Sequence, residues 1–179
     1  MNLNELALQV HAANTKWWHD IHTGEPIQRN KGELLMLVIT ELSEAVEGIR
    51  KDLMDDKLPH RKMEEVEMAD AVIRLLDFAG GFRLSLEDIS VSQVHIDDVK
   101  PNKGEAIIDI CLLVTLFWGF ETTQQGFGSG ISRIIHAIRT YCLRHGLELE
   151  GTIYEKLAYN AKRSDHTHEA RKAAGGKKF

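Results

Sequence analysis

Cysteine is scarce in this chain, two residues in 179. Cys111 and Cys142 both sit inside apolar helical patterns, which excludes a disulfide-stapled fold and fits buried free thiols in a reducing compartment. No positively charged, then apolar leader opens the sequence, so no secretory signal is read and the cytoplasm is the expected location. Long hydrophobic runs are missing too. The longest, "AIIDICLLVTLFWGF", is short for a membrane span and contains Asp109, as a buried helix can. Strand-like alternation never lasts long enough to define a sheet, which leaves an all-α fold.

What is there is helix. A hydrophobic content of 43% with 27% charged residues is ordinary for a soluble globular chain, and the length fits one domain spanning 1–179. Leu3, Leu6, Val10, Ala13 and Trp17 recur at helical spacing and predict a first helix over 2–19. Asn30 followed by Glu33 resembles a capping box opening a second, running to about residue 55. Pro59 suits the first turn of a third, which "AGG" at 79–81 ends. Beyond it, "LSLEDISVSQVHIDDVKPNKGE" reads as a short helix and a linker. Residues 105–120 form an apolar helix, "GFGSG" at 126–130 a flexible link, and 131–145 another helix stopped by Gly146. A last helix covers about 150–163, and a polar, flexible tail fills 166–179.

The net charge of −5 conceals an asymmetry. Residues 1–130 carry 12 Lys+Arg against 22 Asp+Glu, whereas 131–179 carry 10 against 5. An acidic N-terminal part and a basic C-terminal part can meet around a metal and a polyanion, or can simply be solvated faces.

Two helices place carboxylates among aliphatic residues. In the second, Leu35, Ile39, Leu42, Val46, Ile49 and Leu53 form the apolar stripe, with Thr40, Ser43 and Glu47 on the polar side. Glu41 and Glu44 share a further sector with Leu34, Leu37, Ala45 and Gly48. In the third, Asp70 lies between Val66 and Ile73 on the apolar face and Glu67 precedes it by three residues. Each helix thus presents a carboxylate pair, and an antiparallel arrangement lets the pairs converge. Clustered carboxylates repel, and an oxygen-rich site of that kind suits magnesium or manganese. A ferritin-like di-iron bundle needs Glu-x-x-His, and none of the nine histidines stands three residues after a glutamate. Near the end of the chain, Lys156, Asn160 and Arg163 share one face of the last helix, an arrangement able to hold phosphate oxygens.

With these motifs in hand, the chain resembles the MazG-like, all-α nucleoside triphosphate pyrophosphohydrolases, relatives of the dimeric dUTPases. The family pattern, EExxE and then ExxD, is matched by Thr40-Glu41-x-x-Glu44, a spacer of twenty-two residues, and Glu67-x-x-Asp70. The closing "KLAYNAKRSDH" and "GGKKF" are similar to the family's basic C-terminal helix and tail. Two departures stand out. Thr40 replaces the first glutamate of the pattern and can serve neither as base nor as ligand. The segment 84–147, with its own apolar helices, exceeds the compact family core; it thickens the bundle, builds an interface or covers the site.

The resemblance implies a helical bundle with metal-binding core helices over 1–83, inserted helices over 84–147 and a phosphate-binding helix over 148–165. It also implies hydrolysis of a nucleoside triphosphate, a dNTP by preference, between the α and β phosphates. The metal, Mg²⁺ or Mn²⁺, would be held by Glu44, Glu67 and Asp70, with Glu41 as general base or fourth ligand. Lys156, Asn160 and Arg163 would grip phosphate oxygens, Asp77 is a further substrate-binding candidate, and Arg74 would orient Asp70 as an i,i+4 pair. Trp17, on the apolar stripe, is expected in the core; Trp18, projecting away from it, is the candidate to stack on a base. His11 could contact a base or be structural. Partners would be the nucleotide and a second copy of the chain in a dimer or tetramer, with no membrane. Two rival functions remain: a non-catalytic metal- or nucleotide-binding helical protein, and a helix-turn-helix DNA binder over 131–163, which the acidic remainder disfavours.

Overall fold

In the computed structural model, which describes residues 2–87, 99–120, 123–163 and 167–173, seven α-helices supply the architecture and no strand occurs among the described residues. The Asn2 side chain accepts hydrogen bonds from the amides of Asn4 and Glu5 and opens α1, Leu3–Asn14. The helix then tightens into a 3₁₀ turn, Thr15–Trp18, so it ends before the expected residue 19. Asn30 caps α2, Lys31–Lys51, by accepting from the Glu33 amide. Asp52, left-handed at φ 48°, closes α2 short of residue 55, its amide directed at the carbonyls of Gly48 and Ile49. Pro59 lies in the intervening turn, ahead of α3, Met63–Gly81. That turn is held by Asp55, whose carboxylate accepts from the amides of Lys57 and Leu58.

The central element is α3. It packs against α1, α2, α5 and α6 and is buried along most of its length. Its start is fitted onto α2 at Gly48, where a Cβ would collide with the Met63 side chain and the Glu64 amide. This close approach turns the inward face of α2 away from the expected stripe. Leu34, Leu35, Val38, Glu41, Leu42 and Ala45 are buried, Ile39, Val46 and Ile49 are half-buried, and Leu53 is exposed. Glu41 therefore sits in the wall of the bundle.

The inserted part of the chain forms α4, Lys103–Phe120, and α5, Gln124–His145. Their apolar residues join those of α1, α2, α3 and α6 in one continuous core. "GFGSG" belongs inside α5 instead of forming a link. Thr123 caps the helix, and the absence of side chains at Gly128 and Gly130 admits the Ser85 backbone and the Phe117 ring. Two polar contacts tie the insertion to α3: the Tyr141 hydroxyl donates to Glu64 at 2.5 Å, and Lys103 bonds the other Glu64 oxygen at 2.6 Å. One face of α4 stays apolar and exposed, at Ile108, Leu112 and Leu116.

Gly146, at φ 69°, ends α5, and α6 follows, Leu149–Asn160. Arg61 secures α6 by bonding Glu65, Glu148 and Glu155 together. Instead of a wholly flexible tail, the end of the chain carries α7, His168–Lys172. Its Arg171 donates to the Lys16 carbonyl at 2.5 Å and lies 4.1 Å from the Trp17 ring centre. The helix expected near residue 90 falls on 88–98, outside the described residues. No described helix is long and apolar enough to cross a membrane.

Candidate metal centre

Antiparallel packing of α2 and α3 brings three of the four expected acids together. Glu41, Glu67 and Asp70 each offer an oxygen within 4.8 Å of the others. Glu41 and Glu67 are buried and Asp70 nearly so. Glu44 does not join them. It is exposed, because the inward rotation of Glu41 carries the residue three positions later to the rim. Glu44 is still close enough to act on Glu67 electrostatically.

Each acid has a different neighbour. Arg74 places Nε at 3.0 Å and Nη2 at 2.9 Å from Oε1 of Glu41, leaving Oε2 without a contact from that arginine. Arg74 thus reaches across to α2, and the expected pairing with Asp70 on its own helix is not made. Asp70 pairs with Lys156, whose ammonium is 2.7 Å from Oδ2. Lys156 is only 2% exposed, so it stands as the buried counter-ion of the acid cluster instead of lying open to phosphate. Glu67, 4% exposed, has no hydrogen bond or ion pair among the described residues. Burial, then the charges of Asp70 and Glu41, push its carboxyl up to about 9. Burial also raises Asp70, with Lys156 opposing.

This donor set fits a hard divalent cation. All the ligating atoms are carboxylate oxygens, and three clustered acids outnumber the cations paired with them. A buried carboxylate without a partner is costly unless it is protonated or meets a cation. Glu67 is that carboxylate.

A partly open cavity of about 80 Å³ adjoins the centre. Asp70, Arg74, Asn160 and Arg163 line the part near the acids, so two of the three expected phosphate-binding residues face it. Asp77, Trp17, Asn14 and Arg29 line the same cavity. Trp18 departs from its expected place, whereas Trp17, expected in the core, is half-buried and packs against it. In a 3₁₀ turn each residue advances about 120° instead of 100°, and Trp18 swings inward against Gly81 while Trp17 stays at the cavity wall. The Trp18 indole N–H donates to Asp77 at 3.2 Å, and His11 Nδ1 lies 3.0 Å from the same carboxylate oxygen. Burial raises the Asp77 carboxyl, and the bonds from His11 and Trp18 oppose that rise.

Asn14 and Arg29 were not singled out by periodicity. Asn14 stands three residues after His11, one turn further along α1, a detectable but weak signal; Arg29, in the loop before α2, has none. Comparison with models of known protein families, with curated proteins and with solved structures finds no match. The chain is an all-α protein with a buried acidic cluster able to hold a metal ion.

Proposed function

We propose that the protein is a Mg²⁺- or Mn²⁺-dependent hydrolase of nucleoside triphosphates, releasing a nucleoside monophosphate and pyrophosphate. The observation that carries this function is the convergence of Glu41, Glu67 and Asp70, with Glu67 buried and unpartnered. The resemblance to the MazG-like enzymes, carried by the same acidic motifs, supports it as well.

Glu41, Glu67 and Asp70 would hold the cation, with Glu44 able to join from the rim. When bound, the cation neutralises phosphate charge and stabilises the charge that develops on the leaving pyrophosphate. Glu41 would also take a proton from the attacking water; that Arg74 engages only its Oε1 supports this role. Asn160 and Arg163 face the adjoining cavity and offer an amide and a guanidinium to phosphate oxygens. Lys156 would hold Asp70 in place and oppose the rise that burial gives its carboxyl. The resemblance also supports assembly into a dimer or tetramer, which sedimentation would measure.

The decisive experiment incubates the protein with each common NTP and dNTP plus Mg²⁺ and separates the products. Monophosphate with pyrophosphate is expected in one step and is lost in excess chelator. Diphosphate with orthophosphate would contradict the assignment, and so would no turnover of any nucleotide.

A further inference from the structure

Asp70 and Asp77 lie on one face of α3, seven residues apart, and both line the same cavity. Seven residues of helix span about 10 Å, close to the length of a nucleotide from its α-phosphate to the far edge of its base. Resting on the nucleotide substrate proposed above, the far end of the cavity belongs to the base. We propose that Asp77 reads that base and selects guanine.

The Asp77 carboxylate is held as a recognition group would be. Its side chain is 14% exposed, and Oδ1 lies 3.0 Å from His11 Nδ1 and accepts from the Trp18 indole at 3.2 Å. Oδ2 has a single longer contact, 3.3 Å from the same indole nitrogen. An ionised carboxylate has about four acceptor sites; the indole contact to Oδ2 is the longer leg of one shared proton, so both sites of Oδ2 stay open to the two donors of a base edge. Trp18 is itself wedged against Gly81 and edge-on to Phe82, which fixes its direction. Neither Trp18 nor Asp77 participates in the acid cluster, and the core would accept an apolar residue at 77 more cheaply than a buried acid.

An acceptor-only group discriminates among bases by their edges. Guanine presents two adjacent donors, N1–H and the 2-amino group. Adenine sets the lone pair of N1 beside its amino group, and cytosine does the same with N3. Uracil and thymine flank a single N–H with two carbonyl oxygens. Each of these four would bring an acceptor against the carboxylate, and unmatched buried polar groups are the strongest basis for rejection. Trp17 lines the same cavity and offers a ring beside the base, its orientation fixed by the Arg171 guanidinium at 4.1 Å. Arg29, on the same wall, donates to the Trp17 carbonyl at 2.7 Å and so ties that residue to the loop before α2.

The test is calorimetric titration of the intact protein in Mg²⁺ buffer with GMP, IMP, AMP and UMP. GMP is expected to bind about 10–100-fold more tightly than IMP, which lacks only the 2-amino group, and more tightly than AMP or UMP. Asp77→Asn should abolish the preference for GMP over IMP and improve AMP, because an amide pairs with adenine. His11→Gln should weaken GMP less and keep the order of bases. Equal affinity of the wild type for GMP and IMP, absence of GMP binding, or an unchanged preference in Asp77→Asn overturns the proposal. The wild-type titrations decide even if a variant fails to fold. Because monophosphates are not cleaved, selective GMP binding without turnover of any triphosphate would refute the hydrolase and leave the base selection standing. Turnover without base preference would do the reverse.

Discussion

Lys156, from the last long helix, reaches the acid cluster and lies 2.7 Å from Asp70 on the central helix. A lysine with 2% exposure is held there by that charge pair, and removing one partner of a buried pair strands the other. Lys156→Met should therefore destabilise the protein by about 3 kcal/mol in metal-free buffer. Mg²⁺ should restore part of the loss, and the double change with Asp70→Asn should restore more. Urea titrations of the three proteins measure this; a Lys156→Met midpoint equal to wild type would mean the contact contributes nothing.

Glu67 gives a pH dependence with a definite sign. Its carboxyl rises from 4.5 in the unfolded chain to about 9 in the folded one, so the folded state holds the proton through that window. Its contribution to stability is complete below the lower value and is lost as pH rises through the upper one. Without metal, the melting temperature should fall between pH 5 and pH 9, and saturating Mg²⁺ should flatten the fall. Calorimetry at pH 7 in buffers of different ionisation enthalpy should show proton release on binding the cation. No release would remove Glu67 from the ligand set.

Glu41 and Asp70 should respond differently to loss of charge. Glu41→Gln is expected to lower single-turnover rates by about 10²–10⁴-fold in a way that extra Mg²⁺ does not recover, as removal of a general base does. Asp70→Asn should weaken the metal, with activity partly recovered at high Mg²⁺. Wild-type rates in Glu41→Gln would leave water activation to another group.

Gly128 offers a test of the inserted helix. A methyl group there meets the carbonyl of Ser85, which is backbone and yields little. Gly128→Ala should cost about 1–3 kcal/mol despite its better helix propensity. A gain in stability would show that "GFGSG" is looser than its packing implies.

Much of this was legible in the sequence, for a physical reason. The helix caps at Asn30 and Gly146 depend on residues a few positions away, and both act where local pattern placed them. The pairing of ExxE with ExxD likewise followed from helical spacing, and three of the four acids converge. Illegible features depended on distant partners. Nothing near Arg74 reveals that Glu41, across the helix interface, outcompetes Asp70 for it, or that Asp70 is already taken by Lys156. Trp18 was misplaced because one tightened turn alters the phase of every later side chain. "GFGSG" reads as flexible until the Ser85 backbone and Phe117 supply a reason for its glycines.

The Asp70–Lys156 pair also has a consequence in time. The acids are encoded early and their buried cation late, so a ribosome releases α2 and α3 well before α6. At about 5–20 residues per second, several seconds pass in which the cluster has Arg74 on one acid and no ammonium on another. During those seconds a divalent ion from the surrounding fluid is the natural neutraliser, and the same helices still lack the cover of α5 and α6. Magnesium would then serve the nascent chain before it serves any substrate, and translation in magnesium-poor medium should yield more aggregated product than refolding of the finished protein.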